Sequence, residues 1–227
     1  MGRSLDISTL LGRAFARNGQ SAGIAIARDH APSRMRLAVL ASTLLLADCA
    51  WPLPPLPPGA DATARPARKP DVGYQPTPVP VVTRMLDLAK VTPADTVLDL
   101  GSGDGRVPIA AARDYGARGR GIELEPRLVA VARANAAAAG VADRVTFEEG
   151  DIFAADLTGV SVVTLFLWPS LNDRLAPKLR AELKPGSRVV GYYHDIDGWE
   201  PEAVIGSALL GKVYLWRVPG PKAQPSE

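Results

Sequence analysis

The stretch from Thr96 to Arg106, T-V-L-D-L-G-S-G-D-G-R, constrains the fold more than any other part of the chain. Val97, Leu98 and Leu100 make a short apolar run of the kind that fills a buried parallel strand. Asp99 interrupts the run, Gly101, Gly103 and Gly105 follow at alternate positions, and a helical pattern begins at Arg106. A strand, a glycine turn and a helix in that order bring a ligand against bare backbone. The lining differs from that of a phosphate loop, because carboxylates at Asp99 and Asp104 would repel a pyrophosphate. The G-x-G-x-G spacing also departs from the G-x-G-x-x-G of dinucleotide binders.

A ligand with a cationic or hydroxyl-rich face suits this lining. S-adenosylmethionine (SAM), which carries a sulfonium, an ammonium and no phosphate, fits it better than NAD. The string D-L-G-S-G-D-G-R resembles motif I of the class I SAM-dependent methyltransferases. That resemblance implies a Rossmann-like, doubly wound α/β fold and SAM as cofactor, bound by Asp99, Gly101, Ser102, Gly103 and Gly105.

The rest of the pattern supports a mostly parallel sheet, since strands and helices alternate. Helical spacing over 81–91 precedes the motif and a helix over 106–115 follows it. Strands are predicted at 118–124, 144–151, 161–168 and 188–194, with helices over 126–139 and 171–183. The segments 202–205 and 212–218 are predicted to close the domain as an antiparallel hairpin.

Glu123 falls at the end of the second strand, 24 residues after Asp99. A carboxylate there can accept from both hydroxyls of a ribose, and Leu124 would flank the adenine. The resemblance implies that Asp151 accepts from the adenine amino group and that Ile152 packs on the ring; a helix cap is the competing role for Asp151. Phe166 to Ser170 follows where such enzymes face the methyl acceptor, and the N-P-P-Y string of base and glutamine methylation is absent. Trp168, Asn172 and His194 are the candidates for the acceptor side. No sequence feature identifies a catalytic base among them.

Y-Q-P-T-P from Tyr74, the motif itself, G-I-E-L-E-P and the tail W-E-P with V-Y-L-W-R-V resemble a narrower group. This is the family of the ATP synthase c-subunit lysine methyltransferase and its bacterial relatives. The resemblance implies a protein-lysine methyltransferase, with Tyr74 and Thr77 contributing to the cofactor pocket. Two alternatives stay open: a small-molecule methyltransferase, and an inactive envelope lipoprotein that retains the fold.

Composition enters at the margins. A net charge of +2 gives no argument for a nucleic-acid partner. One cysteine, Cys49, and two histidines, His30 and His194, exclude an internal disulfide and suggest no metal site. Residues 1–34 show no steady apolar period. Residues 35–49 hold a basic start, an uncharged run from Leu37 to Ala47 and then Cys49, which resembles a bacterial lipoprotein signal peptide. The expectation is initiation at Met35, with an exported product anchored to membrane through Cys49; the alternative is a cytoplasmic enzyme. Residues 50–72 are proline-rich and predict a stiff spacer. The methyltransferase domain is predicted over 73–219, with a tail at 220–227.

Overall fold

The computed structural model describes residues 52–207 and 211–220. The signal-like segment with Cys49, the first 34 residues and most of the tail lie outside the described residues. In chain order the elements are α1 (Val79–Leu88), β1 (Thr96–Leu100), α2 (Arg106–Tyr115), β2 (Arg118–Glu123), α3 (Pro126–Ala138) and β3 (Val145–Glu149). They continue with β4 (Val162–Leu165), α4 (Pro169–Glu182), β5 (Arg188–Tyr192), β6 (Ala203–Ser207) and β7 (Gly211–Arg217).

The strands form one seven-stranded sheet in the order β3-β2-β1-β4-β5-β7-β6. The first five run parallel, while β7 lies antiparallel to both β5 and β6. The expected hairpin therefore forms, but its second strand inserts beside β5 and its first becomes the edge. Side chains explain the order. Val213, Leu215 and Trp216 of β7 are buried, whereas Val204 and Ile205 of β6 are exposed. Trp216 has no exposed surface, and its indole N–H donates to the Trp199 carbonyl at 2.7 Å. Truncating a buried Trp of this kind costs about 3–5 kcal/mol.

β1 divides the core between the two faces of the sheet. Val97 packs with α1 and α2, while Leu98 and Leu100 point the other way, towards α4. α3 joins α2 over β3 through Ala132, Ala136, Val145 and Phe147. The chain runs outward from β1 to β3 and then returns to β4 on the opposite side of β1. Such a reversal opens a crevice at the carboxyl ends of the strands. The opposite end is closed by Asp95, whose carboxylate accepts from Ser161 Oγ at 2.7 Å and from the Thr92 amide at 2.8 Å, and pairs closely with Arg188. That cluster ties the starts of β1, β4 and β5 together, away from the crevice.

Several boundaries differ from the sequence reading. β4 stops at Leu165 and does not reach Trp168. Trp168 precedes Pro169, which holds it in extended backbone (φ −65°, ψ 153°) as the N-cap of α4. β3 ends at Glu149, so Asp151 stands two residues beyond the strand. α1 starts earlier than expected because Pro80 is tolerated in a first turn.

Candidate active site

The crevice is a cavity of about 830 Å³. Its floor is the glycine turn after β1, where Gly101, Gly103 and Gly105 have φ of 82°, 53° and 81°. The turn folds back on β2, with the amides of Gly101 and Ser102 both donating to the Ile122 carbonyl at 2.9 and 3.0 Å. A Cβ at Gly103 would lie 2.8 Å from the Tyr74 ring, so Tyr74 rests directly on the turn. Gly105 differs from its expected role: it is not part of the cavity wall. A Cβ there would lie 2.5 Å from Phe147 and 2.9 Å from Ala132, so its bareness lets α2 close onto α3 and β3.

Carboxylates line one side. Asp99 is buried in β1 and accepts from Thr164 Oγ1 of β4 at 2.6 Å. Burial pushes its pKa up to about 7; the Thr164 hydrogen bond opposes this, and the Glu123 and Asp104 charges add to it. Glu123 uses Oε2 to accept from the Gly103 amide and Oε1 to accept from the Glu125 amide, both at 2.9 Å. Burial raises its pKa too, against those amide hydrogen bonds. Asp104 is neutralised locally by Arg106, with contacts of 2.9 and 2.6 Å, and Arg106 reaches on to the Thr77 carbonyl at 2.8 Å. Tyr74 has its phenol pushed up to about 12 by burial, with Asp104 beside it. Asp99 and Glu123 thus face the cavity without a cation paired to either among the interactions described, and the wall is built to receive positive charge.

The segments that follow β2 and β3, and an unexpected stretch of chain, complete the lining. Leu124, Asp151 and Ile152 line the cavity. Asp151 also caps the short 3-10 turn at Ile152–Ala154, accepting from the Phe153 amide at 3.0 Å, so the competing cap role is realised. Its other oxygen accepts from Arg68 Nε at 3.0 Å. Burial acts to raise its pKa, but Arg68 and the Phe153 amide win and hold it below the usual range. Arg68 to Val72, in the stretch read as a spacer, therefore form a strap along the cavity wall. Sequence reasoning missed Arg68, Arg106 and Thr164. Only Thr164 carried a signal, as the one polar residue within V-V-T-L-F-L-W.

Phe166 and the buried Tyr192 also line the cavity, and the exposed Trp168 and Tyr193 stand at its mouth with His194. Trp168 and His194 stack at 5.8 Å between centroids, and Tyr193 meets His194 edge-on at 5.0 Å. Burial lowers the His194 pKa below 6.5, with Asp195 pulling the other way. Asn172 does not join them. It is 1% exposed and its amide donates to the Asp195 carbonyl at 3.3 Å, so it fastens the start of α4 to the exit of β5 and stays out of the cavity.

A sheet of this order, with an acidic glycine-turn cavity at the switch between β1 and β4, defines a class I SAM-dependent methyltransferase. The donor set fits that cofactor: carboxylates open to a cation, a bare backbone turn and, among the described residues, no cluster of cations for a phosphate at the glycine turn. The comparisons agree. The ANTKMT methyltransferase domain matches residues 99–203. A protein-lysine N-methyltransferase of Saccharolobus islandicus is 45% identical over 60% of this chain and 85% of its own length. The adenine nucleotide translocase lysine N-methyltransferase of Mus musculus is 39% identical over 61% of this chain and 60% of its own length. The ATP synthase c-subunit lysine N-methyltransferase of Xenopus laevis is 34% identical over half of each chain, so this chain spans about half the length of that relative. A structure described as an RNA methyltransferase from Salinibacter ruber, in complex with S-adenosyl-L-homocysteine, superposes with a TM-score of 0.63. It is 49% identical and matches 67% of this chain and 98% of its own.

The chain belongs to the methyltransferase family that includes the Saccharolobus protein-lysine N-methyltransferase. It is a SAM-dependent methyltransferase.

Proposed function

We propose that the protein transfers methyl groups from SAM to lysine side chains of proteins. The observation that carries this reading is the 45% identity to the archaeal protein-lysine N-methyltransferase over most of that protein. The aromatic mouth supports it, because a lysine is an alkyl stem with a cation at its tip, and rings accommodate both.

The residues divide the work by chemistry. Glu123, already oriented by two backbone amides, keeps lone pairs free for the ribose hydroxyls. Asp151, Ile152 and Leu124 would hold the adenine, and Tyr74 rests on the glycine turn. Asp99 and the bare turn at Gly101, Ser102 and Gly103 would receive the amino-acid end. When bound, SAM supplies an electrophilic methyl group on a sulfonium. The lysine must first give up a proton, and His194, held neutral by burial at pH 7, is the imidazole at the mouth able to take it. The remaining contribution is positioning and exclusion of water, since charge is dispersed as the methyl group moves.

The test is to incubate full-length protein with isotopically labelled SAM and extract from its host, then locate the label by peptide sequencing. Label on lysine is the expected result. Label in RNA would assign this chain the acceptor class named for the Salinibacter structure, and label in small metabolites alone would make it a small-molecule enzyme.

A further inference from the structure

Trp168 and Tyr193 remain 54% and 56% exposed at the cavity mouth, although both are large aromatic residues. They arrive from different elements, Trp168 as the N-cap of α4 and Tyr193 just past β5. Tyr193 is held there at a cost. Its φ is 72°, and the His194 amide donates to the Tyr192 carbonyl at 2.9 Å, closing a γ-turn about it. This is the rarer, strained form of that turn, and a bulky residue in it signals a job for the side chain. The Tyr193 amide is also anchored to the Lys212 carbonyl of β7 at 2.7 Å. Glycine would adopt this backbone freely, so packing alone does not account for a tyrosine. The result is a corner of rings, with His194 stacked on Trp168 at 23° and Tyr193 standing at 78° to His194.

We propose that Trp168, Tyr193 and His194 form a collar that binds the acceptor amine and prefers it already methylated. This rests on the amine acceptor proposed above and adds a specificity to it. Ring faces attract an ammonium within about 6 Å of their centroids, and they favour one whose hydration has been weakened by methyl groups. Carboxylates favour the opposite, a small and strongly hydrated cation. In this cavity the carboxylates Asp99 and Glu123 lie on β1 and β2 and Glu123 accepts from the glycine turn, whereas Trp168, Tyr193 and His194 present ring faces, with Asp195 the acidic neighbour of His194. A once-methylated amine therefore binds the collar better than the starting amine, and further transfers follow. In each round the neutral nitrogen lone pair forms the new N–C bond. The C–S bond breaks with its electrons going to sulfur, which leaves as a thioether. The nitrogen carries the positive charge until it loses a proton to His194, which passes it on to water, and after a third transfer it has no proton left to lose.

Two measurements test the collar. In the first, choline and its uncharged isostere 3,3-dimethyl-1-butanol are titrated into the full-length protein with S-adenosylhomocysteine bound, and followed by ligand NMR. Choline should bind more tightly than the alcohol. Tyr193→Gly, which relieves the backbone and so keeps the fold, should weaken choline about tenfold while SAM affinity stays the same. Trp168→Ala should do likewise and Trp168→Phe should largely restore binding. Equal binding of the two probes, or choline affinity unchanged in Tyr193→Gly and Trp168→Ala, overturns the proposal. The second measurement is the ratio of mono-, di- and trimethyllysine in hydrolysates of labelled extract. Tyr193→Gly should shift it towards the monomethyl product, and an unchanged ratio counts against the collar. Absence of label on lysine with wild-type protein refutes the lysine acceptor, and the choline titration then decides the collar by itself.

Discussion

Asp99 offers the sharpest test of the claim that the cavity is built for a cation at the expense of stability. Its carboxyl titrates at 3.8 in an ordinary environment and near 7 in the folded protein, because burial beside Glu123 and Asp104 disfavours its charge. Between those pH values the folded chain holds a proton that the unfolded chain has released. Stability therefore falls as pH rises through this window and levels off above 7. At roughly 1.4 kcal/mol for each pH unit, the loss from pH 4 to pH 7 approaches 4 kcal/mol. Asp99→Asn keeps an oxygen for the Thr164 hydroxyl and removes the charge. Urea unfolding at pH 8 should find the variant more stable than wild type by a few kcal/mol, with the two converging near pH 4. SAM affinity should move the other way. Loss of a charge-assisted hydrogen bond costs about 1.5–3 kcal/mol, roughly tenfold to a hundredfold in Kd. In wild type the affinity should also fall as pH drops below 7, since protonated Asp99 cannot meet a cation, and calorimetry of the variant should show that dependence flattened. An Asp99→Asn protein that is less stable at pH 8 and binds SAM as wild type does would refute the reasoning.

Two further substitutions separate binding from folding. Glu123→Ala removes the acceptor of the Gly103 and Glu125 amides together with the proposed ribose contact, and calorimetry should show SAM affinity weakened about tenfold to a hundredfold; unchanged affinity in a folded variant would remove that assignment. Gly105→Ala puts a Cβ at 2.5 Å from Phe147 in a backbone of φ 81°. It should cost about 2–5 kcal/mol in urea unfolding, from the left-handed backbone and overpacking together, and equal stability would show that α2 can shift from α3 freely.

Local chemistry determined much of this protein. Strand β1, the glycine turn and the start of α2 were legible because each depends on neighbours in sequence: an apolar run, residues that accept positive φ, and a helical period. The same stretch placed Asp99 near the end of β1, the second predicted strand placed Glu123 at the end of β2, and the alternation of elements gave the parallel sheet. Tertiary structure decided what depends on chain segments far apart. Arg68 meets Asp151 across 83 residues and Thr164 meets Asp99 across 65, and neither pairing leaves a local pattern. The strap was hidden for the same reason, since a proline-rich stretch has the same composition whether it extends into solvent or lies along a cavity. β7 sits inside β6 because Trp216 finds its burial beside β5, a preference settled by packing and not by hairpin connectivity. Asn172 and Gly105 show the converse. Each lies close in sequence to the residues of the site, yet the direction of one side chain and the bareness of one Cα serve the joints between elements, because orientation is fixed only once those elements have packed.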